Sequence, residues 1–351
     1  MKKNSYILEA QTFLKNNPDI KSFDIVMHDC NGIGRGKIIR RNELIKIYKS
    51  GRQFPLSLMG MDITGEDVPE TGLIFNQGDG DIKAWPIPSS LKYIHKSKPA
   101  RGELFMNMHD IKGNKLSTDP RNQLEKKIGE FKKKGISFRA AFELEFFLVS
   151  NELDEYGKLK PAKSVIGKKS SRRKTDVYSV DILHGMLPLF DDIYEASVLA
   201  NIDAETIISE YAPGQYELTL KHQNSILKAA DDILRLKRII RAQARLHGVT
   251  ACFMAKPMED VSGSGMHFHI SLYNKKNKNL FAEKNKKKIN KHLSYALGGL
   301  SKTMGESMLI FAPNANSWRR FIKGSYAPIS PNWGIDNLSL IHISEPTRPL
   351  T

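Results

Sequence analysis

Three short segments of this chain alternate an acid, amide or imidazole with bulky apolar residues, and that pattern restricts the fold more than any other feature. They are Phe142-Glu143-Leu144-Glu145-Phe146-Phe147-Leu148, Gln215-Tyr216-Glu217-Leu218 and Met266-His267-Phe268-His269-Ile270-Ser271. Residues two apart on a strand share a face. Glu143 therefore lies with Glu145, Gln215 with Glu217, and His267 with His269 and Ser271, each set opposite an apolar row expected to face a core. Glu210 stands just before the turn that opens the second segment. Carboxylates gathered inside a hydrophobic sheet are costly unless cations neutralise them, so the pattern points to bound metal. Oxygen-rich ligands with one or two histidines favour magnesium or manganese over zinc, and the number of acids points to more than one ion. Taken singly, a Glu-x-Glu pair reads as a solvated strand face and a lone histidine as a core residue.

With 351 residues the chain can bury a substantial core and divide into two domains. A formal charge of +16 raises the possibility of nucleic-acid binding. The excess is mostly lysine, however, concentrated in 158–174 and 275–291 with few aromatics, which reads as solvated loops without stacking platforms. Neither a nucleic-acid nor a membrane partner is expected: no run of about twenty apolar residues exists, and a cytoplasmic location follows. Cys30 and Cys252 match no disulfide framework or zinc motif and read as two buried thiols.

Along the chain, periodicity and turn residues predict an α+β fold. Helices are expected over 7–14, 122–134, 181–200 and 225–247, with Gly135 and Gly248 as stops, and strands over 22–27, 104–109 and 249–255. The glycine-rich segment from Asp29 to Lys37 lacks the Gly-Lys-Ser/Thr ending of a phosphate loop and reads as a turn. Asp62, in Met61-Asp62-Ile63-Thr64-Gly65, reads equally as a turn-former or as a residue reaching a neighbour's site. Proline and serine punctuation over 86–99 places a domain boundary near residue 100, giving domains over 1–100 and 101–337.

Taken in order, Asp29 to Lys37, Glu143-Leu144-Glu145, Ser209 to Glu217, Lys256-Pro257 with Gly263 to Ser271, and Asn316-Ser317-Trp318-Arg319-Arg320 resemble the glutamine synthetase family to about Asn337. The resemblance implies a small N-terminal β-grasp-like domain and a larger catalytic domain on a curved antiparallel sheet with flanking helices. It implies one cation held by Glu145, Glu210 and Glu217, and a second by Glu143, His267 and a further downstream glutamate. It places Glu205, His269 and Ser271 at nucleotide-contacting positions and Ser262, Gly263 and Arg320 at positions that hold the amino acid. Arg319 is expected to be a surface neighbour. The implied activity is ATP-dependent amide formation: glutamate's γ-carboxylate is phosphorylated, and an amine then displaces phosphate. The family also implies a homo-oligomeric ring with sites between subunits, where Asp62 would serve an adjacent chain.

Ammonia-using members carry Gly-Tyr-Glu-Ala-Pro in a flap, where this chain has Gly324-Ser325-Tyr326-Ala327-Pro328. Tyr326 thus replaces an ammonium-binding glutamate. This is more similar to the gamma-glutamylpolyamine synthetase branch, which joins glutamate to putrescine or a similar amine. Residues 338–351 depart from the family and resemble translated sequencing adapter, so His342, Glu345 and Arg348 receive no roles. On that reading the chain as written lacks one metal glutamate and two arginines and is expected to be inactive, whereas its complete parent is an enzyme. Three other readings fit individual features: ammonia-using glutamine synthetase, a metabolite-binding relative without catalysis, and a metal hydrolase using the same acids.

Overall fold

The computed structural model describes residues 2–74, 78, 80–168, 174–283, 289–323, 325, 327, 329, 332–335 and 341–343. Its contacts divide the chain into two compact units, one of residues 1–130 with 199–201 and one of 131–198 with 202–351. Among the described residues no helix is long and apolar enough to cross a membrane.

In the first unit, α1 (Lys2–Asn16), β1 (Ser22–His28), β2 (Gly34–Arg40), α2 (Leu44–Ser50), β3 (Arg52–Pro55), β4 (Asp81–Pro86), β5 (Lys92–Ile94) and β6 (Arg101–His109) precede α3 (Pro120–Lys133). The sheet order is β2-β1-β6-β4-β3, with β5 also on β6. The strands alternate Phe23, Ile25 and Met27 of β1 with Leu104, Met106 and Met108 of β6 into one buried cluster. β6 pairs in parallel with β1, from Ser22 opposite Arg101 to Val26 opposite Phe105, so the unit continues past the proline-rich run. That run is a connection within the sheet, since proline and serine mark internal turns as well as linkers. Asp29 closes the first turn by accepting from Asn31 and Ile33 N–H and from Arg35 Nε, at 2.9 Å each. Cys30, expected to be buried, is exposed beside it.

The second unit opens with the long strand β7 (Ile136–Ser150), followed by α4 (Val180–Gly185), α5 (Leu187–Leu199), β8 (Ala204–Ser209), β9 (Gln215–Leu220), α6 (Ile226–Leu246), β10 (Val249–Cys252) and β11 (Met266–Asn274). Beyond them lie α7 (Lys291–Thr303), α8 (Met308–Phe311), α9 (Ala315–Trp318) and a parallel pair, β12 (Trp333–Ile335) and β13 (Ile341–Ile343). The helix expected over 181–200 is broken at Met186. Pro188 supplies no N–H and crowds the carbonyl four residues back, which stops the first segment.

β7 is the spine of an antiparallel sheet: one edge carries β9, and the other carries β11 and then β10. α6 packs across β7 and β10. Its start is capped by the Ser225 hydroxyl, which accepts from Lys228 N–H, and Gly248 ends it in the left-handed region at φ 74°. Ile233, Leu236 and Ile240 of α6 are buried, as are Leu144, Phe146, Tyr216 and Leu218 of the sheet. Each such side chain contributes about 1.5–3 kcal/mol of transfer free energy. The expected core row of β11 does not join them: Met266 is 50% exposed and Phe268 47%. Phe268 stacks on Phe142 at 4.9 Å, while α6 packs against β7 and β10.

Candidate active site

Register brings the three alternating segments together. Glu143 lies opposite His267 and Thr219, and Glu145 opposite Glu217, so the acids and imidazoles of β7, β9 and β11 share one face. His267 Nδ1 is 2.8 Å from Glu143 Oε2 and 4.0 Å from Glu217 Oε2. His269 Nε2 approaches Glu143 Oε1 to 3.0 Å, although it is not aligned as a hydrogen bond. Ligand atoms of Glu143, Glu217 and His267 all lie within 4.8 Å of one another, close enough to hold one metal ion.

The electrostatics divide the acids. The His267 hydrogen bond, then the neighbouring His269 imidazole, holds Glu143 well below the ordinary carboxylate range. The same hydrogen bond raises His267. Burial, followed by the charges of Glu143, Glu145 and Glu210, pushes Glu217 up to about 8. Glu210 is also raised, first by burial and then by Glu145. Burial and three neighbouring carboxylates disfavour ionised Glu217, and the oxygen-rich set of Glu143, Glu217 and His267 could hold a divalent cation that would offset that charge. Glu217 stands with Glu143 and His267, and the charges of Glu145 and Glu210 act on it.

Glu145 is tied to the loop before β11. Its Oε2 accepts from Gly265 N–H at 2.9 Å and from Gln215 Nε2 at 3.1 Å. Glu210 follows β8, and the return to β9 passes through Gly214 at φ 75°, where a Cβ would lie 2.9 Å from Leu148 O. Only glycine turns there without strain.

The glycine loop rests on Arg320. A Cβ on Gly263 would stand 2.4 Å from Ala255 O and 2.8 Å from Arg320 Cγ, and one on Gly265 would stand 2.9 Å from Arg320 Nη2. Asn316 holds the arginine segment in place: its Oδ1 accepts from Lys256 N–H and its Nδ2 donates to Lys256 O, both at 2.8 Å. Burial lowers the Arg320 pKa, and the nearby Glu145 charge opposes that effect. A guanidinium held this way can grip a carboxylate or phosphate with two parallel bonds.

The remaining sequence-derived residues are placed less uniformly. Ser262 donates its hydroxyl inward to Gln215 Oε1 at 2.8 Å. Ser271 shares the inward face of β11, opposite Arg139. Glu205 is exposed on β8, with its charge acting on His222, and the His222 ring lies 6.0 Å from His269. His222 was not singled out in the sequence because it follows β9, where strand alternation ends. Asp62 belongs to the first unit, where its Oδ1 accepts from Thr64 N and Oγ1 at 2.7 Å each, Gly65 N at 2.9 Å and Glu66 N at 3.0 Å. Those bonds lower its pKa and make it a turn-former in this chain. Tyr326 and residues 336–340 and 344–351 lie outside the described residues, as do the readings placed on them.

Comparison with known proteins bears on the same elements. Residues 117–347 match the family described as glutamine synthetase, catalytic domain. Gamma-glutamylputrescine synthetase PuuA of Escherichia coli is 35% identical over 334 residues, covering 95% of this chain and 70% of the relative. Glutamate–isopropylamine ligase of a Pseudomonas species is 29% identical over 346 residues, covering 96% and 72%. Among solved structures, ligand-free GmaS superposes with a TM-score of 0.77 at 23% identity, over 95% of this chain and 72% of that one, which establishes likeness of fold.

Proposed function

The chain belongs to the glutamine synthetase family of ATP-dependent carbon–nitrogen ligases, and on that premise we propose that it joins the γ-carboxyl of glutamate to an amine, putrescine or one like it, through γ-glutamyl phosphate. The observation that carries this reading is the convergence of Glu143, Glu217 and His267 on the inner face, with Glu145 and Glu210 beside them. Magnesium or manganese held there would neutralise and align the nucleotide's phosphates.

The chain's own groups supply the rest. Arg320 takes the amino acid's carboxylate or the transferring phosphoryl oxygens in its planar fork. The Gly263 backbone packs against the Arg320 side-chain stem and Gly265 against its guanidinium, on the loop where the amino acid would be received. His269 and Ser271, on the same face, and Glu205 at the sheet's edge take the nucleotide. Glutamate's carboxylate is a poor electrophile until phosphorylated, and an amine can attack only when held in line with the departing phosphate. For the amine, Tyr326 replaces a carboxylate that an ammonium pocket would need, and two amine ligases stand among the similar proteins. The reading extends to a homo-oligomeric ring in which Asp62 serves an adjacent chain, which light scattering would test.

Two measurements test the assignment. ATP binding should require magnesium or manganese and disappear in a Glu143→Gln/Glu217→Gln variant; ATP binding indifferent to the ion would end the ligase reading. Phosphate release should require glutamate together with putrescine. Release with ammonia but not putrescine would assign ammonia as the nucleophile, and release with neither glutamate nor amine present would assign a hydrolase.

A further inference from the structure

Gln215 sits at the start of β9, 2% exposed, and its amide touches both halves of the site. Its Oε1 accepts from the Ser262 hydroxyl at 2.8 Å and from Ala212 N–H at 3.3 Å. Its Nε2 is 3.1 Å from Glu145 Oε2, 3.1 Å from Gly263 O and 3.3 Å from Ser264 Oγ. The two ends cannot be exchanged. A carboxylate and a carbonyl on one side need a donor, and an N–H on the other needs an acceptor, so rotating the amide by half a turn would set its oxygen against Glu145 and Gly263 O and its NH2 against Ala212 N–H. Glutamate lacks the donor in its ionised form, and leucine lacks both functions.

The consequence is mechanical. Glu145 is on β7, Gln215 on β9, and the 262–265 loop feeds β11, so one buried amide fixes a cation-facing carboxylate relative to the loop packed on Arg320. Resting on the ligase reading above, we infer that Gln215 is a positioning residue that couples cation binding at the carboxylate cluster to amino-acid binding at the glycine loop. Glutamate drawn against Gly263 holds the loop, the loop holds the amide, and the amide holds Glu145. By linkage, cations must then tighten glutamate by the same factor.

The test uses the 351-residue chain and needs no turnover. Free Mn2+ is followed by electron paramagnetic resonance during titration, with and without saturating glutamate. The wild type should bind Mn2+, and glutamate should tighten that binding by about 5-fold or more. Gln215→Leu should weaken Mn2+ by about 10-fold, as loss of a group orienting a ligand does, and bring the glutamate effect to unity. A substitution that merely loosened the core would lower the melting temperature and leave the ratio unchanged. Should Gln215→Leu not fold, Ser262→Ala carries the test, because it removes one hydroxyl from the amide oxygen and should reduce the same ratio. An unaltered ratio in the folded variant, or a wild type in which glutamate does not affect Mn2+, overturns the proposal. A wild type that binds no Mn2+ overturns the cation reading itself and this proposal with it.

Discussion

Replacing Glu217 with glutamine should stabilise the chain in the absence of cations while removing its response to them. The side chain is buried against β7, and its pKa rises from an ordinary 4.5 to about 8, first through burial and then through Glu143, Glu145 and Glu210. Because the folded state keeps this proton longer than the unfolded chain, folding stability falls as pH rises from about 4.5 through about 8. Each pH unit of that interval is worth about 1.4 kcal/mol, an upper limit near 5 kcal/mol. Side chains at the sheet's inner face can move apart, so about 1–3 kcal/mol is expected from the neutral amide, or roughly 3–8 °C in melting temperature. The assay is thermal denaturation in EDTA at pH 5 and 8.5, repeated with excess MnCl2. The variant should melt above the wild type at pH 8.5 and alongside it at pH 5. Manganese at about 100 times its dissociation constant should add about 2.7 kcal/mol to the wild type and far less to the variant. A variant less stable than the wild type in EDTA at pH 8.5 would refute the claim that Glu217 is held uncompensated.

Three further outcomes follow from the same geometry. Without cations, wild-type stability should also fall on the acid side: Glu143 is held low by His267 and His269, so its contribution is present above its unfolded value near 4.5 and is lost as pH falls below it. The raised His267 acts oppositely, contributing fully below its unfolded value near 6.5 and losing that contribution as pH rises through its folded value; a flat melting-temperature profile from pH 3 to 9 in EDTA would contradict both. Arg320→Lys should weaken glutamate binding about 10- to 100-fold by calorimetry, because a point charge cannot reproduce the planar fork; unchanged binding would remove Arg320 from the amino-acid site. Gly263→Ala should cost about 1–3 kcal/mol of stability by chemical denaturation, since its methyl group would overlap Ala255 O and Arg320 Cγ, and a neutral effect would mean that the loop is free of the arginine.

The faces of the site were legible because strand periodicity is a local property. Glu143 and Glu145, or His267 and His269, must share a side whatever they pair with. Pairing partners are nonlocal, and there the sequence was silent or misleading. Nothing local to β6 announces its parallel partner β1, some eighty residues earlier in the chain. Met266, Phe268 and Ile270 form a convincing core row, yet alternation shows only that they oppose the histidines, not that a helix covers them. Gln215 shares a face with Glu217, but the value of its amide lies in which acceptors and donors stand on either side, and those come from β7 and the loop at 262–265.

The site is built from unequal acids, and the inequality is itself an argument for its chemistry. Glu143 hydrogen-bonds to His267 with a second imidazole, His269, beside it, and Glu145 accepts two hydrogen bonds from Gln215 and Gly265. Glu217 has the approaching His267 edge at 4.0 Å and three carboxylates against it. A sheet selected for stability alone would place an amide or a threonine there, as it does at Thr219 two residues along on the same face. Keeping a glutamate at that position makes the empty fold less stable and a cation-filled one more so, and the difference between those two states is the free energy available for holding phosphates in line. The histidines act on the other half of the cluster. By holding Glu143 ionised, they ensure that the site presents negative charge even at a pH where Glu217, left to itself, would keep its proton.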